Sequence, residues 1–339
     1  MINAPKAMIL GCAGARLSDD EKAFFRAEQP WGFILFGRNV ETMDQMRALT
    51  AELRAAVGRD APVLIDQEGG TVRRLRPPLV RDYPAASVIG KRYAGSPDEA
   101  KEAAYACGRL IAADLLSVGV DVDCAPVLDM PPEPDTGFIA NRAFGSDPEQ
   151  VRVLAQAMAD GLKAGGVLPV IKHMPGHGRG LADSHIGLPV VKEPLALLAE
   201  RDFRPFRELT GILMAMTCHV LFEAVDGENP ASTSAKVVEQ VMRGSIGFDG
   251  LIISDDISMN ALAGDIGERA RAVAAAGIDI ILHCNGNMEE MRSVADAAPA
   301  LAGASLIRSE RVMAGRPTAD DADLDALSGR LNTLLQAGS

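Results

Sequence analysis

The chain is short of cysteine pairs, cationic excess, aromatic side chains and long apolar runs, and each shortage excludes something. Its five cysteines (Cys12, Cys107, Cys124, Cys218 and Cys284) are scattered and never form a CxxC pair. That removes the ligand spacing of a zinc ribbon and the motif of a thiol redox centre. Cysteines set in apolar runs read as small buried hydrophobes in a reducing compartment. No stretch approaches the roughly 18 apolar residues of a membrane-spanning helix. The first residues, MINAPKAMILGCAGARLSDDEK, lack the basic region and longer apolar core of a signal peptide. The cytoplasm is therefore the expected compartment. A net charge of −12 supplies no basic face, so neither nucleic acid nor an anionic membrane surface is expected as a partner. One tryptophan, Trp31, and three tyrosines are too few for extended stacking platforms along a polymer. No GxSxG nucleophile elbow occurs, and no GxGxxG turn follows the first strand-like run.

What is present is alternation. Short, nearly continuous apolar runs recur at 7–14, 32–39, 62–70, 120–130, 167–176, 212–220, 250–256 and 278–286. Such runs mark parallel strands buried on both faces. Helical patterns separate them, among them 41–57, 97–119 and 149–166, and several stop at a glycine just before the next strand. Eight strands alternating with helices predict an α/β fold, a single-domain (β/α)8 TIM barrel over about 7–298 of the 1–339 chain. The helices of about 299–339 are expected to pack on it. A doubly wound open sheet is the rival, and it lacks the glycine-rich first turn.

Polar residues collect at one place in each unit, the carboxyl end of the strand. Asp66, Gln67 and Glu68 follow VLI, Asp129 follows APVL, and Lys172 and His173 follow VLPVI. His219 follows AMTC, Asp255 and Asp256 follow LIIS, and His283 follows IIL. Ligands bind at that end in barrels and open sheets alike. Solvent at strand ends explains one or two such residues. Several titratable groups directly after fully apolar strands point to an enzyme.

The segment KHMPGHGRGLADSHIGLP, Lys172–Pro189, holds three of the five histidines and four glycines. His173 and His177 have the spacing of two metal ligands on a helix, but Met174-Pro175-Gly176 between them breaks a helix. Ser184 is flanked by Asp183 and His185, yet neighbours on extended backbone point to opposite sides. Asp183 and His185, two apart, share a side. A carboxylate beside an imidazole fixes its tautomer and favours its protonated form, which makes a general acid that later serves as a base. The glycines give the segment the freedom a lid over a barrel mouth needs. LIISDD supplies a carboxylate to partner that acid. Asp255 and Asp256 should point to opposite sides, so only one should face the mouth. A carboxylate plus a separate proton donor is the equipment of a retaining glycosidase.

With these residues in hand, the chain resembles family 3 glycoside hydrolases, in particular their bacterial β-N-acetylglucosaminidase branch. KHMPGHG…DSH…LP carries the likeness, and LIDQEGGTVRRL (64–75), CAPVLDM (124–130), NRAFGSDP (141–148) and LIISDDISMNAL (251–262) follow the family's order. Two departures are small: Met174 replaces the usual Phe, and Cys124 stands where a polar residue is common. The resemblance implies that Asp255 is the nucleophile and that His185, held by Asp183, is the acid/base. It implies that Asp66, Arg74, Arg142, Lys172 and His173 line the N-acetylglucosamine pocket. The implied reaction is exo-hydrolysis of terminal β-linked N-acetylglucosamine from peptidoglycan fragments, such as N-acetylglucosaminyl-1,6-anhydro-N-acetylmuramic acid with or without peptide. The expected partner is thus a small carbohydrate, with no cofactor, no metal and no obligatory protein partner. Alternatives are a phosphorylase working through the same site, since a histidine acid avoids placing a second carboxylate beside an incoming anion, and a non-catalytic sugar-binding barrel. A metal-dependent barrel hydrolase is a further rival.

Overall fold

A computed structural model describes residues 4–133, 137, 139–180 and 187–336. Eight parallel strands close into a barrel: β1 (Lys6–Gly11), β2 (Pro30–Leu35), β3 (Val63–Ile65), β4 (Val122–Asp123), β5 (Leu168–Met174), β6 (Met214–Thr217), β7 (Leu251–Asp256) and β8 (Ile280–His283). Each pairs with its neighbours in chain order, and β8 closes on β1 with Met8 opposite Ile281. Every strand overlaps one of the eight apolar runs; six lie wholly inside, and β1 and β2 begin one and two residues ahead of theirs. The predicted helices are present as Met43–Val57, Pro97–Leu116 and Pro148–Ala164. Met43–Val57 starts on a Thr42 side-chain cap and stops at Gly58 with φ +64°, a left-handed position that favours glycine.

Alternation along the strands divides the core in two. Ile9, Leu64, Val122, Val170, Met216 and Ile253 fill the barrel interior. Leu10, Val63, Ile65, Ile171, Ala215 and Ile252 face the surrounding helices. All five cysteines are buried and unpaired. Among the described residues no helix is long and apolar enough to cross a membrane.

The residues after β8 close the amino end of the barrel. Leu301 and Val312 of the segment that includes the helix Gly303–Ala314 join the interior cluster. Buried Asp279, just before β8, ties this end together. It accepts Ser305 Oγ at 2.6 Å, Arg308 Nη1 at 3.0 Å, Arg243 Nη2 at 2.6 Å and the Ile252 N–H at 2.8 Å. The last helix, Leu324–Gln336, lies against Pro97–Leu116, where Arg330 grips Glu102 with two bonds of 2.8 and 2.6 Å.

Removing Asp279 takes a buried carboxylate from Arg243 and Arg308 and leaves them only the Phe248 and Gly250 carbonyls and Asp249, so Asp279→Ala should cost about 3–5 kcal/mol. Urea unfolding measures this. A loss under about 1 kcal/mol would show that this charge network does not hold the closed end.

Candidate active site

The carboxyl ends of β2, β3, β5, β6, β7 and β8, with Arg142 from the loop between β4 and β5, surround a cavity of about 260 Å³. Its polar wall is built by Asp66, Glu68, Arg74, Arg142, Lys172 and His173, and its other side by Ile34, Phe36, Met216, Met259, Leu282 and Cys284. Asp255 and Asp256 border it from the end of β7. Six of the eight residues singled out from sequence thus share one cavity: Asp66, Arg74, Arg142, Lys172, His173 and Asp255. Asp183 and His185 lie outside the described residues.

Period-two geometry at the end of β3 sets the polar wall. Gln67 turns away from the cavity and fastens the hairpin of Gln67–Gly69 and Val72–Arg73: its Oε1 accepts the N–H groups of Arg74 and Leu75, and its Nε2 donates to the Leu75 carbonyl. Asp66 and Glu68 on either side of it turn inward. Lys172, 2% exposed, donates to Asp66 Oδ1 at 2.7 Å and lies 2.7 Å from Glu68 Oε1. Arg74 closes on the second oxygen of Asp66 at 2.8 Å. Arg142 grips Glu68 with two bonds of 2.9 and 2.7 Å. Burial alone would push the Asp66 and Glu68 carboxyls up, but these cations outweigh it and hold both below the ordinary carboxylate range. Burial works against the Lys172 ammonium too, and the two carboxylates more than restore it, holding its pKa above the usual lysine value. Both signs of charge therefore persist at neutral pH, which suits a site that grips hydroxyl groups.

Behind this wall Asp129 is fully buried. It accepts the main-chain N–H groups of His173 at 3.2 Å and His177 at 2.6 Å, and it lies 2.5 Å from His173 Nδ1. The rings of His173 and His177 approach to 5.9 Å. Their four-residue spacing carries no helix, yet the turn after β5 folds His177 back, and both main-chain N–H groups bond to the same carboxylate. Gly178 makes that turn possible, since a Cβ there would sit 2.0 Å from the Met130 carbonyl oxygen.

At the end of β7 the simple alternation fails. Asp255 and Asp256 both border the cavity, because the pairing with β8 shifts register between Ile253 and Asp256. Asp256 is the more tied of the two: it accepts Ser258 Oγ at 2.6 Å and the N–H groups of Ser258 and Cys284. Asp255 accepts only the Asp256 N–H at 2.8 Å among the side-chain bonds described. Burial raises the Asp255 carboxyl, and the imidazoles of His173 and His219, the Asp256 N–H and Lys172 together bring it below its ordinary value. It is an ionised carboxylate with few competing donors, the state a nucleophile needs. His219 is buried at the end of β6, with Nε2 2.9 Å from the Asp256 carbonyl and Nδ1 2.6 Å from Ser232 Oγ. A carbonyl accepts only, so Nε2 donates to it and Nδ1 accepts from the hydroxyl. Burial keeps this ring neutral. Glu68 and Asp129 were visible in sequence as strand-end residues, but their partners stand 74 and 44 positions away.

The model of the glycosyl hydrolase family 3 N-terminal domain matches residues 5–314. The chain belongs to glycosyl hydrolase family 3. Beta-hexosaminidase of Chromobacterium violaceum is 38% identical over 325 residues, 94% of this chain and 90% of that one. NagZ from Neisseria gonorrhoeae in complex with N-trifluoroacetyl-D-glucosamine is 32% identical, with a TM-score of 0.86 and 99% of each chain covered. A family 3 β-N-acetylglucosaminidase from Paenibacillus reaches a TM-score of 0.80 at 32% identity over 98% of this chain and 62% of that one. The family 3 chain described here is accordingly a glycoside hydrolase of the β-N-acetylhexosaminidase class.

A carboxyl whose folded pKa is depressed adds stability above its unfolded pKa and loses it as the pH falls through the folded one. Burial raises Asp129, but His173, His177 and the N–H bonds bring it from 3.8 to about 2. The urea midpoint should therefore hold above about pH 5 and fall as the pH drops from about 4 to 2, joined by Asp66 and Asp255. A midpoint unchanged at about pH 3 would contradict this ionised wall.

Proposed function

We propose that this protein is a retaining exo-β-N-acetylglucosaminidase that removes terminal N-acetylglucosamine from peptidoglycan fragments. The observation that carries the proposal is Asp255: an ionised, sparsely bonded carboxylate bordering a small, charge-lined cavity. At about 260 Å³ the cavity lies just below the usual range of ligand pockets, about 300–1,000 Å³, which suits one sugar unit at a chain end. The polar wall of Asp66, Arg74, Arg142, Lys172 and His173 offers paired donors and acceptors to its hydroxyls. The apolar side of Met216, Met259 and Leu282 suits the carbon face of the ring and an acyl methyl.

In this reading Asp255 attacks the anomeric carbon while His185, held by Asp183, protonates the departing glycosidic oxygen. A covalent glycosyl-enzyme forms, and the fragment bearing the aglycone leaves. His185, now neutral, takes a proton from water, which attacks the same carbon and frees Asp255 with net retention. Two features support the placement of the acid. The chain leaves the wall at His177, a cavity residue, and a Cβ at Gly180 would stand 2.9 Å from Pro189 Cβ. The described residues on either side of the segment that carries Asp183 and His185, Gly180 and Pro189, thus lie close together beside the cavity residue His177. The bound N-trifluoroacetyl-D-glucosamine of the Neisseria relative supports the sugar class.

The enzyme should release nitrophenol from 4-nitrophenyl β-N-acetylglucosaminide, and far more slowly from the matching β-glucoside, with no added metal or phosphate. Asp255→Ala should lower kcat by at least about 10³-fold, the scale on which a covalent nucleophile counts. Proton NMR of the first product should show the β-anomer. An α-anomer first product, or an Asp255→Ala variant of normal activity, would refute the assignment.

A further inference from the structure

Asp129 has a role beyond filling the space behind the cavity. It does not line the cavity, and it is fully buried. It sits in the loop that follows β4, one residue beyond the bond from the Leu128 N–H to the Lys172 carbonyl, 2.7 Å. That bond places its carboxylate directly behind the end of β5. Three N–H groups converge on it there and use both oxygens. Oδ1 takes the main chain of His173 and His177, and Oδ2 takes the His173 ring. A carboxylate accepts only, so His173 Nδ1 carries the proton in this bond, and Nε2 is the nitrogen left for the cavity.

The charged and titratable groups around this pair come from four elements. His177 faces it from the turn after β5 and is held neutral by burial. Arg142 senses the Asp129 charge from the loop between β4 and β5. Asp255 and His219 face His173 from the ends of β7 and β6. After burial, His173 is the largest influence on Asp255.

We propose that Asp129 is a positioning residue for the reaction: its Oδ2 fixes His173 with Nε2 toward the sugar, and its Oδ1 pins the turn at His177 from which the segment carrying Asp183 and His185 departs. The inference rests on the glycosidase reading for its kinetic consequence, though the ring geometry stands without it. One carboxylate thereby couples two parts of the machinery that the sequence keeps apart, a sugar-facing imidazole and the root of the acid/base segment.

An isosteric change separates this role from simple support of the turn. In Asp129→Asn the amide oxygen still accepts the two main-chain N–H groups. The amide nitrogen, however, now presents N–H to His173 Nδ1, which must accept, and the ring proton moves to Nε2. In protein labelled with 15N-histidine, the wild-type spectrum should show His173 protonated at Nδ1, and the variant should show it protonated at Nε2. The His173 signals are assigned by their loss in His173→Gln. The variant should stay folded with a lowered Tm, and lose about 10- to 100-fold in kcat on 4-nitrophenyl β-N-acetylglucosaminide.

A wild-type His173 protonated at Nε2 alone would overturn the proposal, and that measurement needs no variant. So would a folded Asp129→Asn enzyme with normal kcat. A wild-type enzyme inactive on this substrate would remove the glycosidase reading and leave the tautomer result standing, so the two fail separately.

Discussion

The mouth of this barrel is organised around the ammonium of Lys172, which is shared between two carboxylates. It reaches Asp66 and Glu68 from the end of β5, across the cavity from the end of β3. A buried cation with a single partner is a poor bargain, because desolvating two charges offsets most of their attraction. Two carboxylates change that balance, and each is backed by its own arginine, Arg74 for Asp66 and Arg142 for Glu68. Five charged groups thus form a chain in which every member has an opposite neighbour. The arrangement keeps donors and acceptors fixed at the cavity wall before any sugar arrives, which reduces the ordering that binding must impose.

The two ends of the barrel use charge differently. At the amino end, Asp279 is saturated by Ser305, Arg243, Arg308 and a main-chain N–H, and interior side chains from the last segment fill the opening. That end is closed and spent on stability. At the carboxyl end, groups are paired sideways along the wall, which leaves faces turned to an open cavity. Among the described residues Asp255 has only the neighbouring N–H on its carboxylate, whereas Asp256 beside it is bonded to Ser258 and Cys284. Of the two adjacent aspartates, Asp256 is thus the one held by its neighbours, and Asp255 is the less encumbered among the described residues.

Much of this was legible in the chain. Eight apolar runs announced eight strands because strands buried on both faces need continuous hydrophobic residues, and each run overlaps its strand. Asp66, Lys172, His173 and Asp255 were legible because a titratable residue just past such a run has to emerge at the barrel mouth. The side that Asp256 takes was not legible. Alternation presumes an unbroken ladder, and the register shift between Ile253 and Asp256 breaks it. Nor did His173 and His177 need a helix to meet, since Gly178 lets the turn pack against Met130 and bring both to Asp129.

The sequence by itself determined the fold class, the end of the barrel where the cavity opens, and several of the charged residues that line it. These follow from periodicity and from position along a strand, both of which are local. Tertiary structure alone decided the partnerships: Lys172 with Asp66 and Glu68, Arg142 with Glu68, Asp129 with His173. Each joins residues from different strands or connecting loops, at separations of 44 to 106 positions. Barrel closure creates those distances, and only there do the carboxylates meet the cations that keep them ionised when buried.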